Sequence, residues 1–99
     1  MKNVYIGQSN LLRFELEKSG SVVIDASVEA QLMTKGGHVI SGHTQSLEHE
    51  EDGIYEGEMK IEKTVREGEY IIQWIVNGQA DERWRDSVRA VWAETGALT

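Results

Sequence analysis

Three histidines and a short acidic run are the side chains of this sequence best suited to chemistry. His38, His43 and His49 lie close together in the chain, and residues 48–52 around the last of them are mostly acidic. A metal site needs three or four ligands that converge to about 2.0–2.2 Å. No His-x-His or His-Glu-x-x-His spacing is present, and an extended chain would hold His43 and His49 too far apart to share an ion. We therefore predict no metal and no cofactor, and interpret these residues as an exposed polar edge.

The remaining options for catalysis are equally poor. The acidic run lacks the Asp-x-Asp-x-Asp spacing of a calcium loop. The serines lie in predicted turns or strands, and none occupies a Gly-x-Ser-x-Gly elbow. The sequence has no cysteine, which excludes disulfides, thiolate ligands and thiol nucleophiles. A chain of 99 residues also leaves little volume for a buried substrate pocket. We predict that the protein is not an enzyme and has no catalytic residues.

Composition narrows the class of protein and of partner. The length fits one domain, residues 1–99, and a hydrophobic content of 39% is sufficient for a core. The net charge of −7 disfavours nucleic acid, because an acidic surface repels phosphates. Neither a signal peptide nor a membrane span is predicted, since long apolar runs are lacking. The expected location is a virion or the cytoplasm.

Alternation with a period of two residues runs through most of the chain and predicts half-buried strands. Leu12, Phe14 and Leu16 alternate with charged residues, and similar apolar rows recur in three later segments. These rows are Val28, Ala30 and Leu32; Tyr55, Gly57, Met59 and Ile61; and Val88, Ala90 and Trp92. A short strand is also predicted at Val22, Val23 and Ile24. Residues 41–52 are the most polar of the chain, so we expect an irregular edge segment and a loop there.

The strongest strand contains Tyr70, Ile72, Trp74 and Val76 as its inward row. The opposite row is also largely apolar, which predicts a central strand covered on both faces. Asn77-Gly78 then predicts a tight hairpin. Residues 79–88 could form a helix, because Trp84 and Val88 are four residues apart, but the preceding hairpin favours a returning strand.

Turn residues separate these segments at regular intervals. Lys18-Ser19-Gly20, Gly36-Gly37 and residues 66–69 predict turns, and Gly53 is expected to close a loop with a positive φ angle. About seven short strands spaced in this way are typical of an antiparallel sandwich. The predicted fold is therefore an all-β, antiparallel, two-sheet immunoglobulin-like β-sandwich of about seven strands.

The segment Gly68-Glu69-Tyr70 resembles the start of strand F in immunoglobulin-like domains. In those domains the tyrosine hydroxyl bonds to nearby backbone, and the resemblance implies this role for Tyr70. No cysteine follows Tyr70, so the likeness is to cysteine-free versions of the fold. The order of residues 7–14, 28–32, 52–57 and 68–74 is similar to that of small immunoglobulin-like structural proteins of tailed bacteriophages and prophages. That resemblance implies a virion component of the head, neck or tail.

The candidate interface residues are Trp84, Arg83, Arg85, Val4 and Ile6. Tryptophan and arginine are enriched at binding hot spots, but Trp84 could equally cap the end of the core. The arginines, with Arg89, mark either a solvated strand edge or a docking site for an acidic partner. Residues 1–6 could complete the domain's own sheet or add a strand to a neighbouring subunit.

These observations predict a structural interaction module whose partners are other protein subunits of an assembly, with homo-oligomers as one form. Neither nucleic acid nor membrane is an expected partner. The alternative function is a bacterial β-sandwich module that binds a small ligand or carbohydrate through aromatic side chains. A third hypothesis is an enzyme fragment or accessory subunit that uses the histidine and acid segment.

Overall fold

The computed structural model describes residues 1–18, 21–22 and 26–92, and this part of the chain folds as β-strands and turns without a helix. None of it could therefore cross a membrane as a helix. The strands are β1 (Lys2–Ile6), β2 (Ser9–Glu15), β3 (Glu17–Lys18), β4 (Ser21–Val22), β5 (Val28–Thr34), β6 (Val39–Glu51), β7 (Ile54–Lys60), β8 (Gly68–Val76) and β9 (Gln79–Trp92). The all-β prediction is confirmed.

Seven of the strands form one sheet in the order β1-β9-β8-β5-β6-β7-β2, and β3 and β4 form a separate two-stranded sheet. Strand β1 runs parallel to β9, whereas the other neighbours are antiparallel. The prediction of a purely antiparallel arrangement is wrong for this pair. Strands β1 and β2 are consecutive in the chain but lie at opposite ends of the strand order. Strand β1 pairs instead with β9, and the two run in the same direction.

The sheet curls until its first and last strands nearly meet. The buried Asn10 of β2 holds this closure, because its Oδ1 accepts from the Tyr5 backbone N–H at 2.7 Å and its Nδ2 donates to the Tyr5 carbonyl at 3.0 Å. The Gly7 N–H also donates to the Ile61 carbonyl at 2.6 Å. A side-chain amide thus replaces part of a missing backbone ladder between β1 and β2.

The core lies inside this curled sheet and consists of the alternating rows predicted from the sequence. Leu12, Leu32, Ile72 and Trp74 are buried, with Phe14 partly buried against them. Strand β8 lies between β5 and β9, so its predicted central position is confirmed. Trp92 follows the row of Val88 and Ala90 but is 48% exposed, since it lies at the end of β9 beyond the core.

The polar segment at residues 41–52 is not an irregular edge, and that prediction is wrong. Residues 41–51 lie within β6, which pairs with β5 up to Leu47 and with β7 from Glu48 onward, and Asp52 forms the turn to β7 with Gly53. Leu47 is buried, and so is His43, which was expected on an exposed edge. The segment is a strand because its first part pairs with β5 and its last residues pair with β7, and this tertiary pairing outweighs its weak β-propensity.

The predicted turns at Gly36-Gly37 and Asn77-Gly78 are present, whereas the turn predicted at residues 66–69 lies earlier, at residues 63–65, because Gly68 and Glu69 already belong to β8. Asn77 and Gly78 both have positive φ angles, 51° and 79°, as a two-residue hairpin turn of the I′ type requires. Gly53 has the expected positive φ of 78°. The hairpin places residues 79–88 in β9, so the strand interpretation is confirmed over the helix. The expected turn at Ser19 and Gly20 lies outside the described residues.

The hydrogen bond that the immunoglobulin-like resemblance implied for Tyr70 is present. Its hydroxyl donates to the Arg66 carbonyl at 2.7 Å, four residues upstream. This contact ties the connection before β8 to the start of that strand. The predicted strand residues Val23 and Ile24 lie outside the described part of the chain.

Candidate protein interface

Trp84 lies at the end of the core. It is half-buried, and its ring meets Phe14 edge to face, with centroids 6.5 Å apart at 81°. Phe14 in turn stacks on Trp74 at 5.0 Å. Of the two alternatives for Trp84, this position matches the residue that caps the core, and it leaves only part of the indole accessible to a partner.

The neighbouring arginines have different surroundings. Arg83 binds Asp81 through its Nη2 at 2.7 Å and its Nε at 3.2 Å, within an irregular stretch of β9. These bonds favour the ionised carboxylate and lower the pKa of Asp81 to about 2, while the pKa of Arg83 is raised by the same contact. Arg85 donates from Nε to Gln73 Oε1 at 3.1 Å. The charge of Arg83 is therefore balanced by the adjacent Asp81 carboxylate, whereas the hydrogen bond of Arg85 is to a neutral amide.

Val4 and Ile6 belong to the core, with 0% and 2% exposure. Strand β1 pairs with β9 from Val88 to Trp92, so residues 1–6 complete the domain's own sheet. Both side chains point into the core, so a partner protein cannot contact them in this fold. They also lie opposite Ala90 and Trp92, six or more residues along β9 from Trp84, which is about 20 Å at strand spacing. The five candidate residues therefore do not form one patch.

His43 has a structural position. It is 2% exposed, its Nδ1 lies 2.9 Å from the Ser41 carbonyl, and its Nε2 accepts from the Glu62 backbone N–H at 3.0 Å. Both ring nitrogens are thereby used within the chain. In the described residues no three His, Asp or Glu side chains are grouped so that they could hold a metal ion.

The middle of the outer surface of β6, β5, β8 and β9 has few charged residues, whereas the next row on the same side contains the charged pair Glu69 and Arg89. We use "outer face" for three rows that cross these strands, in the order β6, β5, β8, β9. The rows are Val39, Met33, Ile71 and Ser87; Thr44, Gln31, Gln73 and Arg85; and Ser46, Glu29, Ile75 and Ala80. Two of these twelve residues are charged, against 27% of the whole chain. Ile71 and Ile75 are only half-buried, and Val39 is 48% exposed.

The middle row of the outer face forms a hydrogen-bonded chain. Gln73 Nε2 donates to Gln31 Oε1 at 3.4 Å, and Gln73 Oε1 accepts from Arg85. Gln73 is buried between the two isoleucines of its strand. This arrangement fixes the polar groups in one orientation, so the surface is ordered before any partner binds.

The opposite outer surface, on β6, β7 and β2, is strongly charged. Glu48 lies directly across from Glu56, and Arg13 lies across from Glu56 on the other side, with 3.8 Å between Arg13 Nε and Glu56 Oε2. Glu58 is the neighbour of Leu11, an exposed leucine. This surface has the composition expected of a solvated sheet.

Sequence reasoning found Arg85 but missed the surface to which it belongs. The feature of the sequence that marks this surface is the apolar second row of β8, Ile71 and Ile75. The sequence pattern led us to interpret this row as covered by a second layer. No strand of the described residues lies over it. The cross-strand partners Met33 and Val39 became visible only with the register, because they come from another hairpin.

Comparison with known proteins gives no family. No protein-family model matches this chain, and no curated protein matches its sequence. The functional argument therefore depends on the geometry of the chain itself.

Proposed function

We propose that this protein is a non-enzymatic interaction module that holds a neighbouring protein subunit against the outer face of β6, β5, β8 and β9. The observation that carries the proposal is the contrast between the two outer surfaces. One has charged residues on three adjacent strands, and the outer face has ten uncharged residues among its twelve, with Glu29 and Arg85 as the two charged ones. Depletion of charge at the centre of a patch is the compositional mark of protein interfaces.

The central strand explains why this surface favours a partner over solvent. Ile71 and Ile75 remain half-buried on either side of Gln73, so covering them would remove further apolar area from water. Gln73 already has its hydrogen bonds, and therefore a partner need not replace water on a buried amide. Arg85 at the rim supplies one charge for orientation.

The proposal includes an immunoglobulin-like, two-sheet sandwich as the architecture. Strand β6 supports it, because its first part pairs with β5 and its last residues pair with β7, which divides the sheet into two halves around the core. The hydrogen bond of Tyr70 to the Arg66 carbonyl supports it as well. The similarity of the turn segments in the sequence to those of small phage structural proteins favours a virion component of the head, neck or tail, with assembly subunits as partners.

The ligand- or carbohydrate-binding alternative has less support. Its platform would need exposed aromatic rings on a common face, and Tyr5 and Trp92 are the most exposed aromatic residues described. Tyr5 pairs with Val91 and Ile6 pairs with Trp92, so the two rings start from opposite sides of the sheet. They do not form a single stacking surface.

Two matched lysine substitutions test the proposed interface. Ile75→Lys places a lysine across from Glu29 on the outer face, and Leu11→Lys places one across from Glu58 on the charged surface. Each new charge has a facing carboxylate, so both variants should fold. Mass spectrometry of purified tailed particles should find the native chain and Leu11→Lys in fixed stoichiometry, and should find Ile75→Lys strongly depleted. Native chain absent from particles, or equal incorporation of both variants, would contradict the proposal.

A further inference from the structure

The outer face has one charge of each sign, Glu29 on β5 and Arg85 on β9. Glu29 is half-buried between Ser46 and Ile75, its neighbours on the adjoining strands. Its carboxylate makes neither a hydrogen bond nor an ion pair within the part of the chain that the structure describes. Covering an unpaired charge is costly, so whatever covers this face has to bring a cation to Glu29.

Arg85 is the cation that the same face offers. Its Nε donates to Gln73 at 3.1 Å, and no carboxylate of the described residues lies within ion-pair distance of the guanidinium. This bond directs the side chain and leaves further N–H donors for a carboxylate from outside. Glu29 lies two strands and one row away, roughly 12 Å at about 4.8 Å between strands and ~6.8 Å between rows. The two charges therefore do not meet within one chain.

A second copy, related by a twofold axis in the plane of contact, brings the two charges together. Each residue then meets its counterpart across the axis, so Glu29 of either copy meets Arg85 of the other and the pair forms twice. The midpoint between these residues lies on β8, between Gln73 and Ile75, because β8 is the strand between β5 and β9. The axis thus passes through the outer face itself, and Ile75 packs beside it.

The distribution of charge permits this contact. The twelve residues of the outer face have no net charge, although the chain as a whole has a charge of −7. In the next row Glu69 is bound by Lys35 at 3.1 Å and lies across from Arg89, so it adds no unbalanced negative charge. The acidic surface on β6, β7 and β2 lies across the core. At about 10 Å per pair of packed sheets, the two acidic surfaces of a dimer are ~30 Å apart, beyond a Debye length of about 8 Å.

We propose that the outer face binds a second copy of this chain, through two Glu29–Arg85 ion pairs about a twofold axis. The inference rests on the proposed function, because it names the neighbouring subunit. Four strands and three rows cover about 400 Å² on each copy, so a dimer buries about 800 Å², at the low end of transient interfaces. The dimer should therefore dissociate in dilute solution.

Charge reversal in the purified chain tests the pairing. Sedimentation velocity and NMR from about 20 μM to 2 mM should detect self-association, with amide shifts in residues 29–31 and 71–75 and none in 54–60. Glu29→Arg or Arg85→Glu alone should weaken association about tenfold or more, because each creates two repulsive pairs. An equimolar mixture of the two variants should restore it, because one chain then has two arginines and the other two glutamates at the contact.

The matched controls are Glu58→Arg and Lys60→Glu, which reverse exposed charges on the opposite surface and should leave self-association unchanged. Glu29→Arg adds two positive units, so −7 becomes −5; this favours association in general, and a loss therefore reports the local pair. Spectra independent of concentration up to about 2 mM, or a mixture that associates no better than its components, would overturn the proposal. Depletion of Ile75→Lys from particles would in that case leave the proposed function standing with a different subunit as occupant. Equal incorporation of Ile75→Lys and Leu11→Lys would remove the proposed function, so the two proposals fail separately.

Discussion

Replacement of Trp74 by alanine tests whether the curled sheet is held by the core described here. Trp74 is 4% exposed, stacks on Phe14 with centroids 5.0 Å apart, and donates from Nε1 to Asp86. Removal of a buried aromatic side chain costs about 3–5 kcal/mol. A domain of this size has a free energy of unfolding of about 5–15 kcal/mol, so the loss is a large fraction of the total.

The loss converts into a melting temperature through the entropy of unfolding. At about 2.1 cal/mol/K per residue, 99 residues give ~0.2 kcal/mol/K, so Trp74→Ala should lower the Tm by about 15–25 °C. Urea unfolding followed by circular dichroism gives the free energy, and calorimetry gives the Tm. Trp92→Ala is the matched control, since that residue is 48% exposed and should cost less than about 1 kcal/mol.

A further variant separates packing from hydrogen bonding. Trp74→Phe retains an aromatic ring against Phe14 and loses the Nε1–H donor, while Asp86 remains accessible to water. Its cost should therefore be about 1–2 kcal/mol, well below that of alanine. A Trp74→Ala protein within about 1 kcal/mol of the native chain, or a Trp92→Ala protein that unfolds more readily, would refute the assignment of the core.

Three further perturbations probe single contacts. His43→Leu leaves the Glu62 backbone N–H without its acceptor, so urea unfolding should show a loss of about 1–3 kcal/mol. Gly57→Ala places a Cβ 2.7 Å from Leu47 Cδ2 and 3.0 Å from a backbone carbonyl, and should cost about 1–3 kcal/mol in the same assay. In an NMR titration the Asp81 carboxyl should have a pKa of about 2, which Arg83→Gln should raise toward 3.8.

The sign of the Asp81 effect follows from its lowered pKa. The ionised carboxylate is favoured in the folded protein, so its contribution is present above the ordinary value of 3.8 and is lost as the pH falls toward 2. His49→Leu and Gly36→Ala are controls for the other two variants, because His49 is exposed and a Cβ at Gly36 meets nothing closer than 3.7 Å. If a variant and its control lost equal amounts of unfolding free energy, the contact named for that variant would not be the cause of its lower stability.

Alternation along the chain was sufficient to predict the strands with clear apolar rows. Leu12 and Phe14 in β2, and Ile72 and Trp74 in β8, face the core as their spacing indicated. The hairpin at Asn77-Gly78 followed from local backbone preference, since both residues tolerate positive φ. These features are local, which is why a sequence can reveal them.

Features that depend on pairing between distant segments were not predictable in this way. His43 is buried where its ring accepts from the backbone N–H of the distant Glu62, and a polar stretch of sequence gives no sign of that contact. The parallel pairing of β1 with β9 joins the first and last strands of the described residues, and Asn10 gains its role from the closure of the sheet. The outer face required the register of three strand pairs, so only Arg85 among its members was a predicted interface residue.

The central claim is that a neighbouring subunit covers the outer face, and cysteine labelling measures this directly. The chain has no native cysteine, so Ile71→Cys and Thr64→Cys each introduce a single thiol, one on the outer face and one in the exposed turn between β7 and β8. The ratio of labelling rates in the isolated chain and in assembled particles reports coverage at each position. We expect labelling of Ile71→Cys to fall sharply on assembly while that of Thr64→Cys stays the same. Unchanged labelling of Ile71→Cys in the particle would contradict the proposed interface.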